Sequence, residues 1–218
     1  MRRVVLFSGM GGDKRMFGPL RVPGVELITP DHIEPHEGED LPAFAERTAD
    51  HHKLGADDVV GGVSFGGMLA SQISSRRKLR GAILLASCHQ PARLPGRYRL
   101  VERFSRHLPD ALLALRSWPP FVRGRFAPID EKNAQIMIEM ARGYSPVMLR
   151  RFGRMIVEWS GVEKFACPML SVHGDGDRIL PLSCIDAQLV IPAAGHSFTL
   201  THPEPIGAAI AEFLRKLP

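Results

Sequence analysis

Val59-Val60-Gly61-Gly62-Val63-Ser64-Phe65-Gly66-Gly67-Met68-Leu69-Ala70 is an apolar run that meets a serine between glycines and then continues with helical spacing. The run predicts a buried strand, and the residues after the serine predict a helix. The glycines two residues either side of Ser64 leave room for a sharp turn between them, because a Cβ there would crowd the neighbouring backbone. This GxSxG pattern is typical of a nucleophile elbow, although a glycine-rich turn without chemistry can also contain it.

Three further stretches are similar to parts of one known family. They are VVLFSGMGG at residues 4–12, MLSVHGDGDRILP at residues 169–181 and LVIPAAGHSF at residues 189–198. With the GxSxG turn they resemble, in chain order, the oxyanion loop, nucleophile elbow, acid loop and final histidine strand of the α/β-hydrolase superfamily. The resemblance covers all but the middle of the chain. It implies an α/β fold with a mostly parallel central sheet flanked by helices.

The resemblance also implies the residues of a catalytic site. Ser64 would be the nucleophile, His196 the base that takes its proton, and Asp177 the acid that fixes the imidazole, in the order that this fold uses. The glycines after the first strand free backbone amides, and we expect those of Met10 and Phe65 to form the oxyanion hole. Neither a metal nor a cofactor is needed by this set of residues.

Two aspartates compete for the role of the acid. Asp175 and Asp177 are two positions apart and would point in opposite directions if the strand continued through them. Asp177 is favoured because it lies four residues before Pro181, as the acid does in the HGxxDxxxP pattern that this stretch resembles. Asp175 is expected to bond to the backbone of its own loop, a common role for aspartate beside glycine.

The loop after the first strand has a second interpretation, as a dinucleotide-binding turn. Gly9 and Gly11 match the GxG part of that motif, and Asp31 follows the next predicted strand, where an acid that binds a ribose is often found. The third glycine position is Lys14, however, and a dinucleotide site would leave the serine, aspartate and histidine of the other motifs without a role. We therefore prefer the hydrolase interpretation.

The loop at residues 31–37 raises the question of a metal site. It contains His32, Glu34 and His36, side chains that bind metal ions, but Pro35 argues against a helix that would align the two histidines. Such loops are usually solvated. The sequence therefore predicts no metal site here.

Composition and length suit one globular domain with an insertion. The chain has 218 residues, of which 44% are hydrophobic. The three cysteines, Cys88, Cys167 and Cys184, are widely separated and match neither a disulfide framework nor a zinc pattern, which favours reduced thiols in a cytoplasmic protein. Met1-Arg2-Arg3 is followed by only four apolar residues, which is too short for a signal peptide, and we expect no membrane span and no nucleic-acid partner.

Residues 87–168 are far longer than one crossover between parallel strands. We therefore predict a catalytic core at residues 1–90 and 165–218 and a mainly helical cap at residues 91–164, an insertion that is familiar in the superfamily. About four helices are expected in the cap from its apolar spacing. Their apolar positions are Leu100, Phe104 and Leu108; Leu112 and Leu115; Ile136 and Met140; and Leu149, Phe152 and Ile156. Between Pro181 and the last strand there is no room for a full helix.

The expected function is that of a serine hydrolase acting on a carboxylic ester or thioester of a small molecule. A carbon–carbon bond hydrolase or an acyltransferase could use the same residues, and a non-catalytic ligand-binding or receptor protein could share the fold. Residues 91–164 carry a net charge of +7, whereas the rest of the chain carries −2. The surplus is mostly arginine, which suits recognition of carboxylate or phosphate, so an anionic substrate or an acidic acyl carrier is a candidate partner. The same charge on a solvated helical surface would need no partner.

Overall fold

In the part of the chain that the computed structural model describes, residues 2–94, 96 and 109–218, six parallel strands form one sheet. The strands are β1 (Arg2–Phe7), β2 (Val25–Ile28), β3 (Val59–Val63), β4 (Gly81–Leu85), β5 (Met169–Gly174) and β6 (Leu189–Ile191). Their order across the sheet is β2-β1-β3-β4-β5-β6. The predicted sheet is confirmed.

Helices connect and cover the strands. In the described residues they are α1 (Leu41–His51), α2 (Phe65–Arg76), α3 (Asp110–Leu113), α4 (Pro119–Arg125), α5 (Glu131–Gly143), α6 (Pro146–Glu158), α7 (Phe198–Thr201) and α8 (Pro203–Lys216). Short 3₁₀ turns lie at Lys14–Phe17, Pro91–Arg93, Ala114–Ser117 and Leu182–Cys184. Side chains cap the starts of α1, α5 and α6, where Asp40, Asp130 and Ser145 accept bonds from free backbone amides. Among these helices, none is both long enough and apolar enough to cross a bilayer.

The core lies on both faces of the sheet. Val4 and Leu6 of β1 pack on the face covered by α8, whereas Val5 and Phe7 pack on the face covered by α1 and α2. Successive side chains of a strand point to opposite faces, so a strand that is apolar throughout is buried on both. This explains why residues 4–7 of β1 and all of β3 are unbroken apolar runs in the sequence.

The central strands bring two loops together. β1 pairs with both β2 and β3, and Phe7 lies opposite Gly62 in the parallel register of β1 and β3. The chain leaves these strands in the same direction, so the loop that begins at Ser8 adjoins the turn at Ser64. From β1 the chain goes first to β2 on one side and then to β3 on the other, so the strand order reverses at β1. In open α/β sheets, ligands bind in the crevice beside such a reversal.

Helices α3–α6 lie between β4 and β5. The predicted apolar positions fall in or beside α3, α5 and α6, whereas α4 contains none of them. The segment with Leu100, Phe104 and Leu108 lies outside the described residues. Leu112 and Leu115 lie in α3 and the turn after it and are 47% and 55% exposed, so this pair does not form a buried face. The apolar positions of α6 behave as expected, because Phe152 and Ile156 are buried.

The connection between β5 and β6 is short. Its one regular element is the 3₁₀ turn Leu182–Cys184, which confirms that no full helix fits there. Despite this short connection, β6 pairs in parallel with β5, with Val172 opposite Leu189 and Gly174 opposite Ile191. The loops after β5 and β6 therefore leave the sheet side by side.

Candidate active site

Ser64 occupies a strained turn between β3 and α2. Its φ of 54° and ψ of −116° lie outside the regions that residues with a side chain normally adopt. Two hydrogen bonds hold it there. Its amide donates to the carbonyl of Leu85 at 3.0 Å, and the hydroxyl of Ser87 donates to its carbonyl at 2.6 Å. The neighbouring strand β4 thus fixes the position of Ser64.

The glycines around Ser64 are required by space and not by backbone conformation. A Cβ on Gly62 would lie 2.4 Å from the carbonyl oxygen of Phe7, and one on Gly66 would lie 2.1 Å from the same oxygen. Neither glycine has a positive φ. The turn therefore packs directly on the end of β1, as the sequence pattern predicts.

His196 and Asp177 are paired. The Nδ1 atom of His196 lies 2.7 Å from Oδ2 of Asp177, and both side chains are almost fully buried. The other carboxylate oxygen, Oδ1, accepts from the amides of Ile179 and Leu180 at 2.8 and 2.9 Å. Asp175, the rival acid, is exposed. Of the two aspartates, the structure thus brings Asp177 to the histidine.

The surroundings of Asp177 favour its ionised form. Burial by itself raises the pKa of a carboxyl group, but the positive charge that His196 can carry and the hydrogen bonds from His173, His196 and the amide of Leu180 outweigh it. The pKa of Asp177 is therefore well below its ordinary value. The group is an acceptor at neutral pH.

His173 is a contact of this carboxylate to which the sequence assigns no role. It lies on β5, fully buried, and its Nε2 is 2.7 Å from the carbonyl oxygen of Leu180 and 3.3 Å from Oδ2 of Asp177. A carbonyl oxygen only accepts, so Nε2 carries the proton and can share it with the carboxylate. The signal was present in the sequence, because His173 is the histidine of the HGxxD stretch.

Hydrogen bonds fix the loop after β1. The amide of Gly12 donates to the carbonyl of Gly9 at 3.1 Å, and Gly11 has a φ of +83° that favours glycine. The hydroxyl of Ser8 donates to the carbonyl of Gly12 at 3.0 Å. The Nε2 of His32 lies 2.9 Å from the carbonyl oxygen of Ser8. These bonds fix the backbone around Met10.

His32 is not a solvated loop residue, contrary to the expectation for residues 31–37. Its ring contacts those of Phe7, Phe65 and Phe152 with centroids 5.2–5.9 Å apart, and its Nδ1 is buried. Within the described residues, no group of three or more His, Cys, Asp and Glu side chains is arranged to hold a metal ion. Asp31 is exposed.

A cavity of about 90 Å³ lies over Ser64. Ser64, His196 and Met10 line it together, and Phe65 follows Ser64 at the start of α2. The opposite wall comes from residues 116–156. Its members include Arg116, Phe121, Arg125, Phe126, Met137, Leu149 and Ile156. The structure therefore assembles Ser64, His196 and Met10 around one space, with Asp177 behind the histidine.

The comparisons with known proteins agree with this architecture. Residues 4–209 match the model of a family described as the alpha/beta hydrolase family. A poly(3-hydroxyalkanoate) depolymerase of Ectopseudomonas oleovorans is 25% identical over 243 residues, which cover 98% of this chain and 84% of that protein.

Two solved structures share the fold. A thermophilic esterase from Thermogutta terrifontis aligns with a TM-score of 0.77 and 24% identity, over 99% of this chain and 90% of that one. A bromoperoxidase from Bacillus anthracis aligns with a TM-score of 0.74 and 19% identity, over 99% and 92%. With the family match over most of its length, the chain belongs to the alpha/beta hydrolase family and is a hydrolase of that type.

Proposed function

We propose that the protein is a serine hydrolase that cleaves a carboxylic ester or thioester of a small molecule. Ser64 forms the acyl-enzyme, His196 moves the proton, and Asp177 orients the histidine. One observation carries the proposal: Ser64, in a strained turn, and His196, bonded to a buried carboxylate, line the same cavity. A ligand-binding protein without catalysis would not require this arrangement.

The positions of the protons on Asp177 and His196 support this assignment. Asp177 is ionised and can only accept, so Nδ1 of His196 carries a proton, and in the neutral imidazole the lone pair is then on Nε2. Nε2 takes the proton of Ser64 as Oγ attacks the carbonyl carbon, and the ionised Asp177 stabilises the imidazolium that results. The imidazolium then gives its proton to the leaving oxygen or sulfur. Water then attacks the acyl carbon while Nε2 takes its proton, and the imidazolium returns that proton to Oγ of Ser64 as the acyl–oxygen bond breaks and the carboxylic acid is released.

The negative oxygen of the intermediate is stabilised by the amides of Met10 and Phe65. Phe65 is the first residue of α2, where amides have no partner within the helix and where the helix dipole is positive. Met10 lies in the fixed loop after β1 and lines the cavity. These steps use only groups of the chain and require no cofactor.

We further propose that residues 91–164 act as a cap on a catalytic core formed by residues 1–90 and 165–218. In support, residues 116–156 supply one wall of the cavity over Ser64. A cap of this kind excludes water and selects the acyl group. The poly(3-hydroxyalkanoate) depolymerase named above is consistent with an ester substrate. The three free thiols are consistent with a cytoplasmic protein.

Replacement of Ser64 and His196 tests the mechanism. Ser64→Ala and His196→Ala are expected to lower kcat for p-nitrophenyl butyrate by about 10⁴-fold or more, because only the oxyanion hole and substrate binding would remain. The parent should be labelled by a fluorophosphonate at Ser64, and Ser64→Ala should not. Thermal unfolding of each variant checks that the fold is retained.

The two aspartates provide a matched pair. Asp177→Asn should lower kcat by about 10⁴-fold, since an amide cannot hold the imidazole in the required protonation state. Asp175→Asn should stay close to the parent, because its side chain is exposed. A Ser64→Ala protein that turns over esters like the parent would refute the proposed function. A loss confined to Asp175→Asn would refute the assignment of the acid.

A further inference from the structure

The cavity over Ser64 is apolar except for a few groups, and two of these are arginines. Arg116 and Arg125 line it, whereas none of its described lining residues is an aspartate or glutamate. A cavity that holds positive charge without a carboxylate in its wall attracts an anion.

Arg125 is the last residue of α4. Its guanidinium lies over the ring of Phe121, 5.8 Å from the ring centroid, and the side chain is partly buried. Within the described residues it has no carboxylate partner. Stacking on an aromatic ring leaves the edge of the guanidinium, with its N–H donors, free to bind a planar anion.

Four other arginines of this region differ from Arg125. Arg123, two positions earlier on α4, is exposed, bonds to Glu131 and does not line the cavity. Arg150, Arg151 and Arg154 form ion pairs with Asp110, Glu34 and Glu158, respectively. Their positive charges are therefore already matched by carboxylates of the protein.

We propose that Arg125 binds a carboxylate of the substrate, so that the ester or thioester cleaved at Ser64 carries a free carboxylate elsewhere in the molecule. This inference rests on the proposed function and adds the class of substrate. The guanidinium fork matches the two oxygens of a carboxylate, and the apolar remainder of the lining suits the hydrocarbon part of such a molecule. The carboxylate belongs to either the acyl group or the leaving group.

Matched esters test both positions of the carboxylate. For the acyl side, p-nitrophenyl hydrogen adipate is compared with its neutral methyl ester. For the leaving-group side, the butyrate ester of 4-hydroxybenzoate is compared with that of methyl 4-hydroxybenzoate. Each kcat/KM is divided by the rate of hydrolysis by hydroxide, which removes differences in chemical reactivity. In one of the two pairs the parent should prefer the anionic ester by about 10- to 100-fold, the range for a charge-assisted hydrogen bond.

The variants show whether Arg125 causes the preference. Arg125→Gln should remove it, chiefly through KM, and Arg125→Lys should restore part of it because the charge returns without the fork. Arg123→Gln is the matched control on the same helix and should keep the ratio of the parent. Thermal unfolding is measured for each protein. If a variant does not fold, the parent's ratio of kcat/KM for the anionic ester to that for the neutral ester still tests the inference.

The outcomes separate this inference from the proposed function. Equal values for both ester pairs in the parent, with turnover that still depends on Ser64, would refute the carboxylate site alone. A preference that survives Arg125→Gln would also refute it. Turnover that does not depend on Ser64 would refute the proposed function instead.

Discussion

His32 lies beneath the loop that follows β1 and links that loop to the aromatic core. Its Nε2 donates to the carbonyl oxygen of Ser8, since a carbonyl can only accept, and its ring packs against Phe7, Phe65 and Phe152. Burial, only partly offset by the bond to Ser8, lowers the pKa of His32 to about 4 from an ordinary value of 6.5. The neutral form of this one side chain therefore supports the backbone around Met10.

This lowered pKa predicts a loss of stability in mild acid. Between pH 6.5 and pH 4 the unfolded chain binds a proton at His32 that the folded protein does not, so the free energy of unfolding falls as the pH falls. The contribution lost by pH 4 is roughly 3 kcal/mol. Urea unfolding at pH 7, 5.5 and 4 should show a smaller decline for His32→Phe than for the parent. His51→Gln, at an exposed position, is the control. Equal declines in the parent and His32→Phe would contradict the prediction.

The unit formed by β3, the turn at Ser64 and α2 depends on close contact with β1. The Cβ positions of Gly62 and Gly66 face the carbonyl oxygen of Phe7, and that of Gly67 would lie 2.5 Å from the side chain of Ser87. β1 is a central strand paired on both sides. Its backbone cannot move away from an added methyl group without breaking ladder hydrogen bonds, so the tolerance for substitution in this unit is low.

Gly66→Ala tests this dependence. The added Cβ would lie 2.1 Å from the oxygen of Phe7, and we expect a loss of about 3 kcal/mol or more in the free energy of unfolding, at the upper end for overpacked sites. Gly143→Ala at the end of α5 meets no atom within 4 Å and should change stability by no more than about 1 kcal/mol. The measurement is urea unfolding of both variants. A Gly66→Ala protein as stable as the parent would show that β1 can give way.

The charge of the whole molecule is unevenly divided, with a net +7 on residues 91–164 and −2 on the remainder. Two arginines of residues 91–164 bind the rest of the chain. Arg151 pairs with Glu34, and Arg154 donates to the carbonyl of Glu39, both in the loop after β2. The electrostatic field of the other positive charges extends beyond single contacts and would draw anions toward the cavity.

A salt series measures this steering. With an ester that carries a carboxylate, kcat/KM should fall several-fold between about 20 and 500 mM NaCl, because the screening length drops from roughly 20 Å to below 5 Å. The matched neutral ester should stay nearly constant. If kcat/KM depended on salt in the same way for both esters, the positive charge on residues 91–164 would serve solubility alone.

The sequence by itself determined the elements that local sterics and hydrophobic spacing control. The unbroken apolar runs at residues 4–7 of β1 and in β3 require burial on both faces, and Gly62 and Gly66 are the residues that the tight turn at Ser64 needs. The short connection from β5 to β6 followed from the number of residues available. These features depend on contacts that neighbouring residues dictate, so the order and spacing of residues were sufficient to predict them.

The tertiary structure alone decided what depends on distant contacts. The resemblance to the HGxxDxxxP pattern favoured Asp177 over Asp175, but only the course of the loops after β5 and β6 brings Asp177 to His196 at 2.7 Å. The position of His32 among aromatic rings depends on three different parts of the chain, because Phe7 lies in β1, Phe65 in α2 and Phe152 in α6. Arg123 and Arg125 are alike in sequence, yet one bonds to Glu131 and the other lines the cavity. The direction in which a helix side chain points is set by packing against elements far away in sequence, and no local pattern encodes it.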